Sequence, residues 1–179
     1  MTGLERERYP IGRFERCRAP LDRAARSVMI DAIARAPSDI RRLVEHLTDA
    51  QLETRYRVDG WTIRQVVHHV PDSHMNSYVR MKLALTEPRP PAINAYDESQ
   101  WAELHDARTL PVSVSLDLLT ALHTRWVTFL SRLTDEDFSR TYIHPELGAF
   151  PLYDALALYA WHGRHHAAHI DNALKRMPS

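Results

Sequence analysis

The sequence predicts an all-α fold, a four-helix bundle with a long crossover between the second and third helices. Three observations point to it. Four segments carry apolar residues at helical spacing. Only five glycines and few β-branched runs argue against a sheet-rich fold. One connection is long enough to carry the chain across a bundle rather than between stacked repeats. A chain of 179 residues suits one domain, spanning 1–179, with an N-terminal extension over 1–21 and a long connection over 87–111.

The first helix is expected over 22–47, with Val28, Met29, Ile33, Ile40, Leu43, Val44 and Leu47 as its apolar face. Pro37, followed by Ser38 and Asp39, predicts a kink there or two abutting helices. The second helix begins near Thr62, after the Asp59-Gly60 turn signal, and runs to about Thr86. The connection that follows holds Pro88, Pro90, Pro91 and Pro111, so it reads as extended or turning, with a short helix over 97–105. Loops of this length are uncommon in compact domains and often functional; this one can lid a pocket or pack on a second subunit. The third helix starts around Ser115 and keeps Leu116, Leu119, Leu122, Trp126, Phe129, Leu130 and Leu133 in register. The fourth runs from Leu152 to Lys175, with Pro151 compatible with its first turn. Trp61, Trp126 and Trp161 read as core anchors.

A faint internal repeat runs through this order. Leu47-Thr48-Asp49-Ala50-Gln51-Leu52 leads to Arg55-Tyr56, and Leu133-Thr134-Asp135-Glu136-Asp137-Phe138 leads to Arg140-Thr141-Tyr142. The pair is either chance use of a common capping signal or the mark of two helix hairpins related by a pseudo-twofold. The second reading brings the second and fourth helices together.

Composition narrows the function classes. Lys+Arg and Asp+Glu balance at 23 each, so no global field draws the chain to nucleic acid or anionic membrane. No apolar run approaches the roughly 20 residues of a membrane span. The start, MTGLERERYP, lacks the apolar core of a signal peptide. The single Cys17 has no partner for an intrachain disulfide, and a reducing cytoplasm is the expected setting.

The eleven histidines are the feature to explain, because they cluster: His68, His69 and His74 on the second helix, and His162, His165, His166 and His169 on the fourth. Residues at i and i+4 share a helix face, so His162 with His166 can hold a metal, and so can His165 with His169. Gly163 follows His162 where a HExxH metalloprotease has its glutamate, which removes the peptidase reading. A third donor must come from elsewhere, and either His68 or His69, at the edge of the stripe Ile63, Val66, Val67 and Val70, can supply it. Spacing alone leaves both choices open.

Family resemblance closes them. Trp61-Thr62-Ile63-Arg64-Gln65-Val66-Val67-His68-His69-Val70 resembles the second-helix motif of the DinB-like metalloprotein superfamily, whose ligand stands at His69. His162-Gly163-Arg164-His165-His166-Ala167-Ala168-His169-Ile170 resembles its last-helix motif, with ligands at His162 and His166. The YfiT-like branch of metal-dependent hydrolases is closer still. Its likeness includes Tyr9-Pro10-Ile11-Gly12-Arg13-Phe14, Asp72-Ser73-His74-Met75-Asn76-Ser77-Tyr78, Tyr96-Asp97-Glu98, Trp101-Ala102-Glu103-Leu104, His144-Pro145-Glu146 and Tyr159-Ala160-Trp161-His162-Gly163. His169 falls where many DinB-like proteins carry glutamine, and is not expected to be a ligand.

The resemblance implies a four-helix bundle with one divalent transition metal, zinc or nickel, in a pocket at one end, and often a homodimer. It implies a metal-dependent enzyme acting on a small molecule, either a hydrolase or a thiol S-transferase using a low-molecular-weight thiol such as bacillithiol. Both activate an anionic nucleophile on a Lewis acid. The rival is a noncatalytic metal- or ligand-binding stress-response bundle, whose structural site a fourth protein ligand, such as His165 or His169, would close.

Several residues are candidates around the metal. Ser73, Asn76 and Arg80 follow His69 at helical offsets and can line a polar pocket, with Arg80 facing a carboxylate of a thiol cofactor. Asp72 can orient His69, and Glu146 is a candidate acid or base. Each can equally be a solvated polar residue.

Overall fold

The computed structural model describes residues 3–177; positions 1, 2, 178 and 179 of the expected domain lie outside them. Four long helices form the bundle: α2 (Arg23–Val44), α4 (Ile63–Thr86), α7 (Val112–Leu130) and α9 (Leu152–Lys175). Around them lie α1 (Gly3–Arg8), α3 (Asp49–Leu52), α5 (Glu98–Trp101), α6 (His105–Thr109), α8 (Asp135–Ser139) and a hairpin of β1 (Thr141–His144) and β2 (Gly148–Pro151). None of these helices is long and apolar enough to cross a membrane.

Side-chain caps set the helix starts. The Asp22 carboxylate accepts from the Ala25 amide at the head of α2. Thr48, Thr62 and Thr134 open α3, α4 and α8 with reciprocal capping boxes to Gln51, Gln65 and Asp137. The internal repeat therefore has local structural content. In each copy a capped short helix leads into an antiparallel pairing, Arg55 with Thr62 and β1 with β2. Each then enters a histidine-bearing helix through an equivalent bond, Ile63 N to Thr54 O and Leu152 N to Arg140 O, both 2.9 Å.

The structure departs from the sequence reading at four places. Pro37 stands inside one continuous α2, so the alternative of two abutting helices does not hold. A proline leaves the carbonyl four residues back without its helical donor, and here that carbonyl, Ile33 O, accepts the His123 ring Nδ1 at 2.6 Å instead. The third helix begins earlier than Ser115, at Val112, because Pro111 takes the N-cap position. It ends at Leu130, where the chain turns into the Thr134 cap. The connection holds two short helices rather than one over 97–105. The hairpin was not anticipated: its strands are too short for alternation to show, and Gly148, at φ +69°, lies at the tight turn.

Two apolar clusters hold the bundle. One centres on Ile33, Met81, Trp126, Leu130, Phe150 and Leu156; the other on Ile40, Val44, Ile63, Val66, Val70, Leu119 and Ile170. Histidines lie between them: His74 packs edge-on to Trp126 and Tyr159 of the first, and His69 packs on Trp61, which touches the second.

The first turns of α4 are buried on all sides, which an amphipathic stripe does not explain. The crossover covers their outer face and satisfies their polar groups. Gln65 Nε2 donates to Ala102 O at 2.8 Å, and Arg64 donates to Leu110 O at 3.1 Å and to Glu53 and Asp49 at 2.7 and 2.8 Å.

The N-terminal segment runs antiparallel along α9. The buried Asp154 accepts the Cys17 amide at 2.8 Å and the Arg16 guanidinium at 2.7 Å. Trp161 Nε1 donates to Gly12 O at 3.3 Å, and His169 Nε2 to Arg8 O at 3.2 Å. Burial, then Asp154, pushes the Cys17 thiol up to about 11. At pH 8 its thiolate fraction is then on the order of one in a thousand. Alkylation of the folded protein by iodoacetamide is expected to run about a hundredfold slower than after denaturation. Equal rates would contradict this environment.

Gly163 sits where α9 crosses α2. A Cβ there would lie 3.0 Å from the Ala36 Cβ and 3.7 Å from the His74 ring. That close approach is a packing reason for glycine after His162. Gly163→Val is expected to lose about 1–3 kcal/mol from overpacking, and an unchanged urea midpoint would contradict the contact.

Candidate metal centre

His69 lies two turns into α4, and His162 and His166 lie one turn apart on α9. Each offers a ring nitrogen, and these atoms all fall within 4.8 Å of one another. His69 Nε2 and His162 Nε2 stand 3.3 Å apart. Burial pushes the His69 ring down to about 4, and pushes His162 and His166 well down, with neighbouring rings adding to the effect. All three are therefore neutral at neutral pH, with a lone pair to offer. Three neutral imidazoles without a thiolate make a donor set that suits zinc or nickel better than calcium or magnesium.

The competing histidines have other partners. His68 Nε2 donates to Leu110 O at 3.1 Å while its Nδ1 faces Ser115 Oγ at 2.7 Å, so both its nitrogens are engaged. His165 lies flat on Trp161, ring centroids 4.2 Å apart and planes at 19°. His169 is turned to Arg8 O.

The three rings line a cleft of about 390 Å³. Trp61 packs against His69 at 4.7 Å between centroids. Arg8 and Tyr9 from the N-terminal segment, Tyr56 and Arg57 before α4, and Glu98 and Ser99 from the crossover complete the walls. Sequence reasoning assigned none of these residues to the site, although Trp61 and Glu98 stand in the quoted motifs and the crossover was expected to be able to lid a pocket. Of the N-terminal pair only Tyr9 had a signal, the quoted Tyr9-to-Phe14 motif, and nothing in it told that the segment lies along α9.

The other candidates are placed differently. Arg80 and Glu146 come together in a neighbouring cleft of about 330 Å³ with Tyr96 and His144; Glu98 and Ser99 line both clefts. Burial, then Glu146, raises the Glu98 carboxyl, against the opposing effect of Arg80. Asn76 does not line the metal cleft: its side-chain amide donates to Asp72 O one turn back, at 2.9 Å. Ser73 Oγ lies 3.4 Å from Tyr159 Oη. Asp72 makes no hydrogen bond to His69 among the described residues; burial, then Asp106, pushes its carboxyl up to about 6.

The DinB superfamily model matches residues 32–170. Curated relatives from Bacillus cereus (strain B4264) and Bacillus thuringiensis subsp. konkukian are each 52% identical over 170 residues, covering 95% of this chain and 96% of theirs. Both carry the name "Putative metal-dependent hydrolase". The solved structure of YfiT from Bacillus subtilis superposes with a TM-score of 0.92 at 46% identity, over 96% of this chain and 98% of that one. It is described as a probable metal-dependent hydrolase with an unusual four-helix bundle topology. A second solved four-helix bundle protein, 17% identical with a TM-score of 0.54, shares the fold. The chain belongs to the DinB superfamily.

Proposed function

We propose that this protein is a metal-dependent hydrolase of small molecules that holds one divalent zinc or nickel ion on His69, His162 and His166. The observation that carries the reading is the convergence of three neutral imidazole nitrogens within 4.8 Å at the wall of an open cleft. No fourth His, Cys, Asp or Glu joins the group among the described residues, and a three-ligand site with a free position is the catalytic arrangement rather than the structural one. A bound ion supplies Lewis acidity, which lowers the pKa of water and polarises a carbonyl. The relatives' names support the same class of activity.

The chain's own groups divide the remaining work. Glu98, which lines the cleft with its carboxyl raised, is the candidate to accept the proton of the attacking nucleophile. Arg8 and Arg57 give the cleft cations for an anionic substrate group. A low-molecular-weight thiol can take the place of water, since the same Arg residues suit its carboxylate. The exposed side chains Met75, Val79 and Leu83 recur every four residues on α4, an apolar stripe that supports a homodimer.

Zinc- or nickel-reconstituted protein is to be tested against ester and amide panels, and against monochlorobimane with low-molecular-weight thiols. Metal-dependent ester or amide turnover is expected, with Glu98→Gln retaining metal and losing roughly 10²–10⁴ in rate. Conversion only in the presence of a thiol would assign an S-transferase. Metal-replete protein inert to all three would leave a noncatalytic binding bundle.

A further inference from the structure

The outer nitrogens of two of these histidines lead away from the cleft through further histidines. His162 Nδ1 lies 3.0 Å from His74 Nε2, and His74 Nδ1 lies 2.8 Å from His123 Nε2. His123 Nδ1 lies 2.6 Å from the Ile33 carbonyl. The His74 and His123 rings are nearly parallel, at 13° with centroids 4.9 Å apart, a separation that a 2.8 Å bond between their nitrogens allows when the rings meet end to end. A shorter chain leaves His166: its Nδ1 lies 3.4 Å from His169 Nδ1, and His169 Nε2 lies 3.2 Å from Arg8 O.

A neutral imidazole has one donor nitrogen and one acceptor nitrogen, and a carbonyl oxygen can only accept. Each chain therefore has one direction. Ile33 O requires the proton of His123 on Nδ1, which leaves Nε2 to accept from His74 Nδ1. His74 Nε2 must then accept from His162 Nδ1, and the lone pair of His162 is left on Nε2, towards the cleft. In the second chain Arg8 O requires the proton of His169 on Nε2. Its Nδ1 accepts from His166 Nδ1, and His166 also keeps its lone pair on Nε2.

Both anchors are carbonyls that the backbone leaves without a donor. Ile33 O is freed by Pro37, four residues on in α2. Arg8 O belongs to the last residue of α1. His74 and His123 are buried to 0% and 2% exposure, so no water stands in for a missing link.

We propose that His74, His123 and His169 are positioning residues that set the tautomers of His162 and His166, so that both present Nε2 lone pairs before any metal arrives. The inference extends the ligand assignment above and gives Pro37, His74, His123 and His169 a role. Ring orientation and proton position fixed in advance are what outer partners contribute at metal sites.

Long-range proton–nitrogen correlation spectra of metal-free, ¹⁵N-histidine-labelled protein test it. Nδ1–H is expected on His74, His123, His162 and His166, and Nε2–H on His169. Nε2–H on His74 or His162 would overturn the proposal. His123→Leu leaves His74 free to reverse, so the His162 signal is expected to become mixed and Zn²⁺ affinity to fall roughly 10- to 100-fold. His123→Gln, whose amide has both a donor and an acceptor, is expected to stay within about threefold of wild type in Zn²⁺ affinity. A His123→Leu protein that binds Zn²⁺ as tightly as wild type would overturn the proposal, and if that variant does not fold the wild-type spectrum alone decides. A wild type that binds no Zn²⁺ or Ni²⁺ would defeat the ligand assignment instead, leaving the metal-free proton pattern unaffected.

Discussion

Replacing His162 with alanine is expected to reduce the metal content of purified, untagged protein from about one ion per chain to less than a tenth of that. The size of the effect follows from the position of the ring. His162 Nε2 stands 3.3 Å from His69 Nε2, and the ring shares a helix face with His166. Its removal leaves two donors on different helices, and nothing in the cleft is placed to substitute. His165 lies on Trp161, and His169 is bonded to the N-terminal segment. His68→Ala and His165→Ala are the controls. Both remove a neighbouring imidazole, and both should keep most of the metal, because His68 has both nitrogens engaged elsewhere. A ligand bound only by the folded state stabilises it, by about 2.7 kcal/mol at a hundred times its Kd. Chelation should therefore lower the melting temperature of wild type and leave that of His162→Ala unmoved. Full metal content in His162→Ala, measured by elemental analysis, would remove the ligand from the site.

Trp126→Ala carries the largest expected loss of stability, about 3–5 kcal/mol. Trp126 is fully buried, donates its indole N–H to Met81 Sδ at 3.3 Å, and packs edge-on to His74, His123 and Tyr159. The cavity would open in the core among α4, α7 and α9, beside the histidine chain. A loss of this size is a large part of the 5–15 kcal/mol that holds a typical domain together. Trp126→Phe, which fills more of the space, should lose less. Urea unfolding measures both, and a change under about 1 kcal/mol in Trp126→Ala would mean that the indole is not the keystone of this cluster.

The long helices were legible because each carries apolar residues at a spacing of 3.6, although the first turns of α4 are buried all round, and α9 was placed with the ends it has. The histidine pairs were legible as spacing but not as a choice. His68 and His69 are adjacent on α4 and both buried, and what separates them is a crossover that engages one and leaves the other. No local pattern encodes that. The short hairpin escaped because four-residue strands carry too little alternation. Pro37 read as a kink or a junction of two helices because the compensation for its missing donor comes from His123, 86 positions later in sequence. His123 itself had a faint signal, a histidine among Leu119, Leu122 and Trp126 on an apolar stripe. The internal repeat, open as a sequence pattern, has matching capping boxes on α3 and α8 and matching backbone bonds at the starts of α4 and α9. Asn76 illustrates the converse: its offset from His69 suited a pocket, but its amide reaches the carbonyl one turn back and bonds its own helix.

X-ray absorption on zinc-loaded protein tests the central claim most directly, because it counts and identifies the donors. Three imidazole nitrogens at about 2.0–2.1 Å, with the remaining coordination from solvent oxygen, is the expected result. Four imidazoles, or a sulfur donor from Cys17, would contradict an open three-histidine site and with it the catalytic reading.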